Sequence, residues 1–70
     1  MLVKEYRVWF PHDNNWSTYD DEKQLKNDLE YLNLPLSLLD FPDDETLFNS
    51  SEQFINESDG CSIQVIVSEC

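Results

Sequence analysis

Leu2-Val3-Lys4-Glu5-Tyr6-Arg7-Val8-Trp9-Phe10 carries two interleaved sets of side chains. Leu2, Tyr6, Val8 and Phe10 fall on one side of an extended chain; Val3, Glu5, Arg7 and Trp9 fall on the other. That period of two is the pattern of a strand. A second such run lies at the far end, Cys61 to Glu69. There Cys61, Ile63, Val65 and Val67 share one face, and Ser62, Gln64, Ile66 and Ser68 the other. These are the most hydrophobic segments of the chain, and they are expected to pair.

Working inward from the first run, Pro11-His12-Asp13-Asn14-Asn15 is a turn-rich cluster. Trp16 to Tyr19 then reads as a short return strand of a hairpin with a five-residue loop. A helix is expected from about Asp20. Ser17 and Thr18 each precede an Asp by three positions, a variant of the capping box. Asp20, Asp21 and Glu22 load the first turn, where the helix dipole favours negative charge. Leu25, Leu29 and Leu32 come next as a stripe to be buried. Leu34 precedes Pro35, which ends the helix near Asn33. Pro35 to Leu39 and the segment after Pro42 read as two further short helical pieces, each led by proline. Ser50 or Ser51 is expected to cap one more helix through Glu57, burying Phe54 and Ile55. Ser58-Asp59-Gly60 would end it, with the only glycine of the chain in a left-handed position.

The order gives an α+β fold: a two- or three-stranded antiparallel-type sheet of the N- and C-terminal strands, with two or three short helices packed on one face. Seventy residues make one compact domain, residues 1–70, near the lower size limit for folding on a single core. Nine aromatics, 40% apolar residues and a single glycine are a folding composition despite the acidity. The expected core is Leu2, Tyr6, Val8, Phe10, Leu25, Leu29, Leu32, Phe54, Ile63, Val65 and Val67.

All four basic residues, Lys4, Arg7, Lys23 and Lys26, lie in the first 26 positions. From Asn27 onward there are ten Asp and Glu and no Lys or Arg. Of the net charge of −11, therefore, −10 belongs to the last 44 residues. A small domain needs a net charge of only about 2–8 units for solubility, on a surface that mixes both signs. Larger charge costs stability through self-repulsion. The excess reads as a surface meant to meet a basic one. The expected partner-binding residues are Asp40, Asp43, Asp44 and Glu45, surrounded by Asp28, Glu30, Glu52, Glu57 and Asp59, because none has a cation in its own half of the chain.

Several chemistries lack their residues. The single histidine, His12, sits in a turn and has no nucleophile beside it in the sequence. There is no phosphate-binding glycine loop. His12, Cys61 and Cys70 lack zinc spacing and a fourth ligand. Asp43-Asp44-Glu45 lacks the alternation and central glycine of a calcium loop. No catalytic, cofactor-binding or metal site is expected, and no enzymatic activity. Phosphate contacts and anionic membranes both call for Lys and Arg, so direct binding of nucleic acid or membrane is not expected. Met1 to Phe10 carries charges within its apolar run, unlike a secretory signal. Cys61 and Cys70 bracket an extended strand and are expected to be free thiols in a reducing cytoplasm, the host's if the chain is phage-encoded. Three Asn-X-Ser matches, at Asn15, Asn49 and Asn56, are then without consequence.

Size, acidity and compactness resemble the DNA-mimic inhibitors of phages and mobile elements, the anti-restriction and anti-CRISPR proteins. Asn15-Trp16-Ser17-Thr18-Tyr19-Asp20-Asp21-Glu22, with a Leu-spaced helix after it, resembles the start of the ArdA-type anti-restriction proteins. The rest of the chain departs from that family, and no functional residue is carried over. The resemblance implies a non-enzymatic inhibitor that occupies the positive channel of a CRISPR effector or restriction enzyme in place of nucleic acid. Two other readings stand beside it. One is an immunity protein or antitoxin that neutralises a basic toxin nuclease, by the same charge complementarity. The other is a small structural or regulatory protein-interaction module.

Overall fold

The computed structural model describes every residue from Met1 to Cys70. Strands β1 (Leu2–Trp9), β2 (Ser17–Tyr19), β3 (Phe54–Ser58) and β4 (Cys61–Glu69) form one antiparallel sheet in the order β2-β1-β4-β3. Helices α1 (Glu22–Tyr31) and α2 (Asp44–Asn49), with a 3₁₀ turn at Leu36–Leu39 between them, cover one face. The fold is α+β, as the hydrophobic pattern predicts, with four strands rather than two or three.

The two terminal strands are the centre of the sheet. β1 and β4 pair without interruption from Leu2↔Glu69 to Trp9↔Ser62. Tyr6 lies opposite Val65 and Val8 opposite Ile63, so the apolar sets of both strands point to the same side. Leu25 and Leu29 of α1, Leu38 of the 3₁₀ turn and Leu47 of α2 pack onto them. Phe10 and Cys61 complete a core of ten buried residues. Leu38 and Leu47 enter this core where the sequence placed Leu2, Leu32, Phe54 and Val67. Leu2 is exposed at the end of the central pair; Leu32, Phe54 and Val67 are half-buried at the rim.

One segment departs from its sequence reading. Residues 51–57, expected as a helix, lead into and form most of the edge strand β3. Phe54, Asn56 and Ser58 point to the helix side, opposite Val65, Ile63 and Cys61, while Ile55 and Glu57 point away. Asp59-Gly60 is not a helix stop but the two-residue loop of a β3–β4 hairpin. Both residues have positive φ, 53° and 80°, the requirement of a type I′ turn, whose twist matches that of the strands. Gly60 is needed there twice over, since a Cβ would also sit 3.3 Å from Cβ of Pro11.

The helix ends are built from local side chains and backbone. Asp21 caps α1, accepting from the backbone N–H of Lys23 at 3.0 Å, while Ser17 and Thr18 belong to β2 and take no part. At the other end Asn33 adopts φ 58°. Its N–H reaches the carbonyl of Glu30, and the N–H of Leu34 reaches that of Leu29, the paired bonds of a Schellman motif. Asp43 caps α2 by accepting from the N–H of Thr46. Asn56 ties the 3₁₀ turn to the sheet, donating to the carbonyls of Leu38 and Asp40 at 3.1 Å each.

Replacing Leu29, which has no exposed surface, by Ala is expected to cost about 2–5 kcal/mol in denaturant unfolding. Gly60→Ala should cost about 1–2 kcal/mol from its left-handed backbone, before the contact with Pro11 is counted. A melting temperature unchanged in the second variant would exclude the type I′ hairpin.

Candidate functional site

The carboxylates are unevenly distributed over the two faces of the molecule. Residues 20–49, the helical layer, hold nine of the fifteen Asp and Glu against Lys23 and Lys26. The other face of the sheet has no helix over it. It carries Glu5, Arg7 and Trp9 from β1, Glu57 from β3 and otherwise uncharged side chains.

Most of the carboxylates expected to bind a partner belong to the helical layer. Glu30 is exposed on α1. Asp40 is exposed where the 3₁₀ turn ends, and only its backbone is engaged. Glu45 is exposed in the first turn of α2. Glu52 is exposed just beyond this layer, between α2 and β3, where its N–H donates to Ser50 Oγ. Their side chains make no hydrogen bond or ion pair within the protein.

Three members have structural work. Asp43 accepts from the N–H of Thr46, and the side chain of Thr46, together with this bond, holds its carboxyl below the usual carboxylate range. Asp44 is paired with Lys4 at 3.0 Å: its cation comes from the other half of the chain, which corrects the expectation that its charge is left over for a partner. The two halves meet in space because Lys4 projects from β1 toward the helices. Its stem lies along Tyr6, with Nζ 5.5 Å from the ring centroid. Partial burial opposes the charge of Lys4, but Asp44 and Tyr6 outweigh it and raise its pKa. The half-buried Asp28 accepts from Tyr19 Oη at 2.6 Å.

Two more of the nine lie elsewhere. Glu57 projects from the uncovered face of the sheet, and Asp59 is in the tip of the β3–β4 hairpin. In exchange, the layer includes Asp20, Asp21 and Glu22, which a division of the chain at Lys26 leaves out. Glu22 and Asp44, from the first turns of α1 and α2, both add to the burial that raises the Tyr6 pKa. Both carboxylates thus act on the hydroxyl of Tyr6 from β1. The signal was present in the sequence as helix-start acids; what it lacked was the packing of both helices on one face of the sheet.

No group of three or more His, Cys, Asp or Glu side chains is arranged to hold a metal ion. His12 is exposed, stacked on Phe10, with Nε2 3.8 Å from Asp13. Cys61 is buried, which raises its thiol pKa; Cys70 is exposed at the other end of β4. No helix is long and apolar enough to cross a membrane. What the arrangement offers chemically is a set of exposed carboxylates on a frame braced by the sheet.

The Tyr19–Asp28 bond joins β2 to α1 across one side of this layer. Burial, and then the Asp28 carboxylate, push the Tyr19 phenol up to about 12 from its ordinary 10.0. A raised pKa means that the folded state favours the protonated form. Its contribution to stability is therefore complete below pH 10.0 and lost as pH rises toward about 12. Tyr19→Phe should cost about 1 kcal/mol at neutral pH. It should also make the melting temperature fall less steeply through that alkaline window than in the parent. No family model matches the chain, and neither a curated protein nor a solved structure matches it.

Proposed function

We propose that this protein is a non-enzymatic inhibitor. It binds a basic nucleic-acid-handling protein, a CRISPR effector, restriction enzyme or nuclease, and blocks nucleic-acid binding with its acidic helical layer. The observation that carries this reading is that Glu30, Asp40, Glu45 and Glu52 are exposed and engage no cation of their own chain. Carboxylates held for internal purposes are visible beside them: Asp21 and Asp43 cap helices, Asp44 neutralises Lys4 and Asp28 anchors Tyr19. The remainder makes no hydrogen bond or ion pair within the chain and adds to the self-repulsion of a net charge of −11. A channel that tracks phosphates with Lys and Arg is the complementary surface. Complementary potentials of this kind steer association at up to about 10⁸–10⁹ M⁻¹s⁻¹ at low salt and weaken as salt is added.

The site is tested by reversal to Lys. Asp43 and Asp44 are unsuitable, because their loss removes a helix cap, worth about 0.5–2 kcal/mol, and an ion pair. The combined variant Glu30→Lys, Asp40→Lys, Glu45→Lys and Glu52→Lys touches no internal bond and should retain the fold by circular dichroism. In DNA-cleavage reactions of purified CRISPR effectors and restriction enzymes, the parent should inhibit its target and the variant should not. Excess non-cleavable DNA should relieve the inhibition. If the target binds DNA and this protein at the same time, mimicry by this surface is wrong.

A further inference from the structure

From the uncovered face of the sheet, we infer that two copies of this chain pack together through it. Face-to-face sheets would then form a sandwich with both helical layers outward. Trp9 and Trp16 stand edge to face on this surface, 5.5 Å apart between ring centroids. Trp16 is 49% exposed, Ile55 43% and Val3 41%. Isolated apolar residues on a surface need no explanation, but here they share one sheet face with the half-buried Trp9 and Ile66.

Charge selects the occupant. Two chains of net charge −11 repel wherever carboxylates meet, which excludes the helical layer as the contact. The uncovered face holds Arg7 against Glu5 and Glu57, a net of −1, and is the broad surface on which two copies can approach. It is also self-complementary. Arg7 and Gln64 are paired neighbours on the two central strands. A two-fold axis along the strands, between β1 and β4, lays Arg7 of each copy over Gln64 of the other. The amide oxygen there accepts from the guanidinium. The same axis lays Ile55 of each copy over Thr18 of its mate, beside Trp16, with Trp9 over Ser62 and Ile66 over Glu5, each contact made twice as an isologous interface requires. A depression of about 420 Å³ lined by Arg7, Trp16, Thr18 and Gln64 receives the opposing side chains. A standard interface takes about 800 Å² per partner. That is about a sixth of the 4869 Å² this chain exposes, within reach of one side of a four-stranded sheet.

The inference stands apart from the proposed inhibition, and salt separates the two. Screening relieves the repulsion between two acidic copies, so dimerisation should tighten with added NaCl, whereas binding to a basic target weakens. Sedimentation equilibrium at rising protein concentration and salt should give twice the 8.3 kDa chain mass. Both tryptophans of the chain lie on this face, so their emission should shift to the blue with dimerisation and to the red on dilution. Arg7→Glu, which takes the face from −1 to −3, and Trp16→Ser, at a half-exposed position, should each weaken the dimer by about tenfold or more. Both should keep the parent circular dichroism. The four-fold Lys variant of the helical layer lowers the net charge from −11 to −3 and should dimerise more tightly, although it no longer inhibits. The inference is overturned by a monomer at millimolar concentration in high salt, or by a dimer that neither Arg7→Glu nor Trp16→Ser weakens. A monomer whose tryptophan emission shifts only when another protein is added would also overturn it.

Discussion

Everything in this protein rests on the pairing of its first strand with its last. The ladder from Leu2↔Glu69 to Trp9↔Ser62 sets the register of Tyr6 and Val8 beside Val65 and Ile63. That register defines which side of the sheet is apolar. Shifting β1 by one residue would turn Val8 outward and present Arg7 to the helices. The edge strands, both helices and the 3₁₀ turn then attach to a surface the central pair has already defined. The connection from β2 at one edge to β3 at the other contains both helices, which is why they lie across a single face.

That arrangement gives the molecule two unlike sides. One is a layer of short helices whose starts carry acids, because caps and dipoles favour carboxylates there. The other is a bare sheet with two tryptophans and an arginine. Neighbouring carboxylates thereby differ in what they engage within the chain. Asp43 and Asp44 hold α2 in place, while the side chain of Glu45, one residue on, is exposed and makes no hydrogen bond or ion pair within the molecule.

Period two was strong enough in Leu2–Phe10 and Cys61–Glu69 to give both strands, their faces and their pairing from sequence. The i, i+4, i+7 leucines gave α1 in the same way. The region around Phe54 was not readable by pattern alone. Five residues are too few to separate a half-buried strand from a short helix, and Asp-Gly is a stop signal in one case and a hairpin in the other. Only the backbone of Asp59, left-handed like that of Gly60, decides it. The site was legible as composition but not as a surface. Sequence distance put Lys4 and Asp44 in different halves, yet they form an ion pair at 3.0 Å. It also put Glu57 beside Glu52, although alternation along β3 turns Glu57 to the opposite face.

The order of the strands has a consequence for the chain while it is being made. Synthesis runs from β1 to β4, so one central strand of the sheet emerges first and its main partner last. Until Cys61–Glu69 is free of the ribosome, Leu2–Phe10 has only the three residues of β2 to pair with. During that interval it is an unpaired, aromatic-rich edge, the kind of segment that recruits other nascent chains. The stretch that emerges in the meantime, Asp20 to Glu52, is a long acidic tract. Like charge on two such growing chains opposes their approach until the last strand closes the sheet.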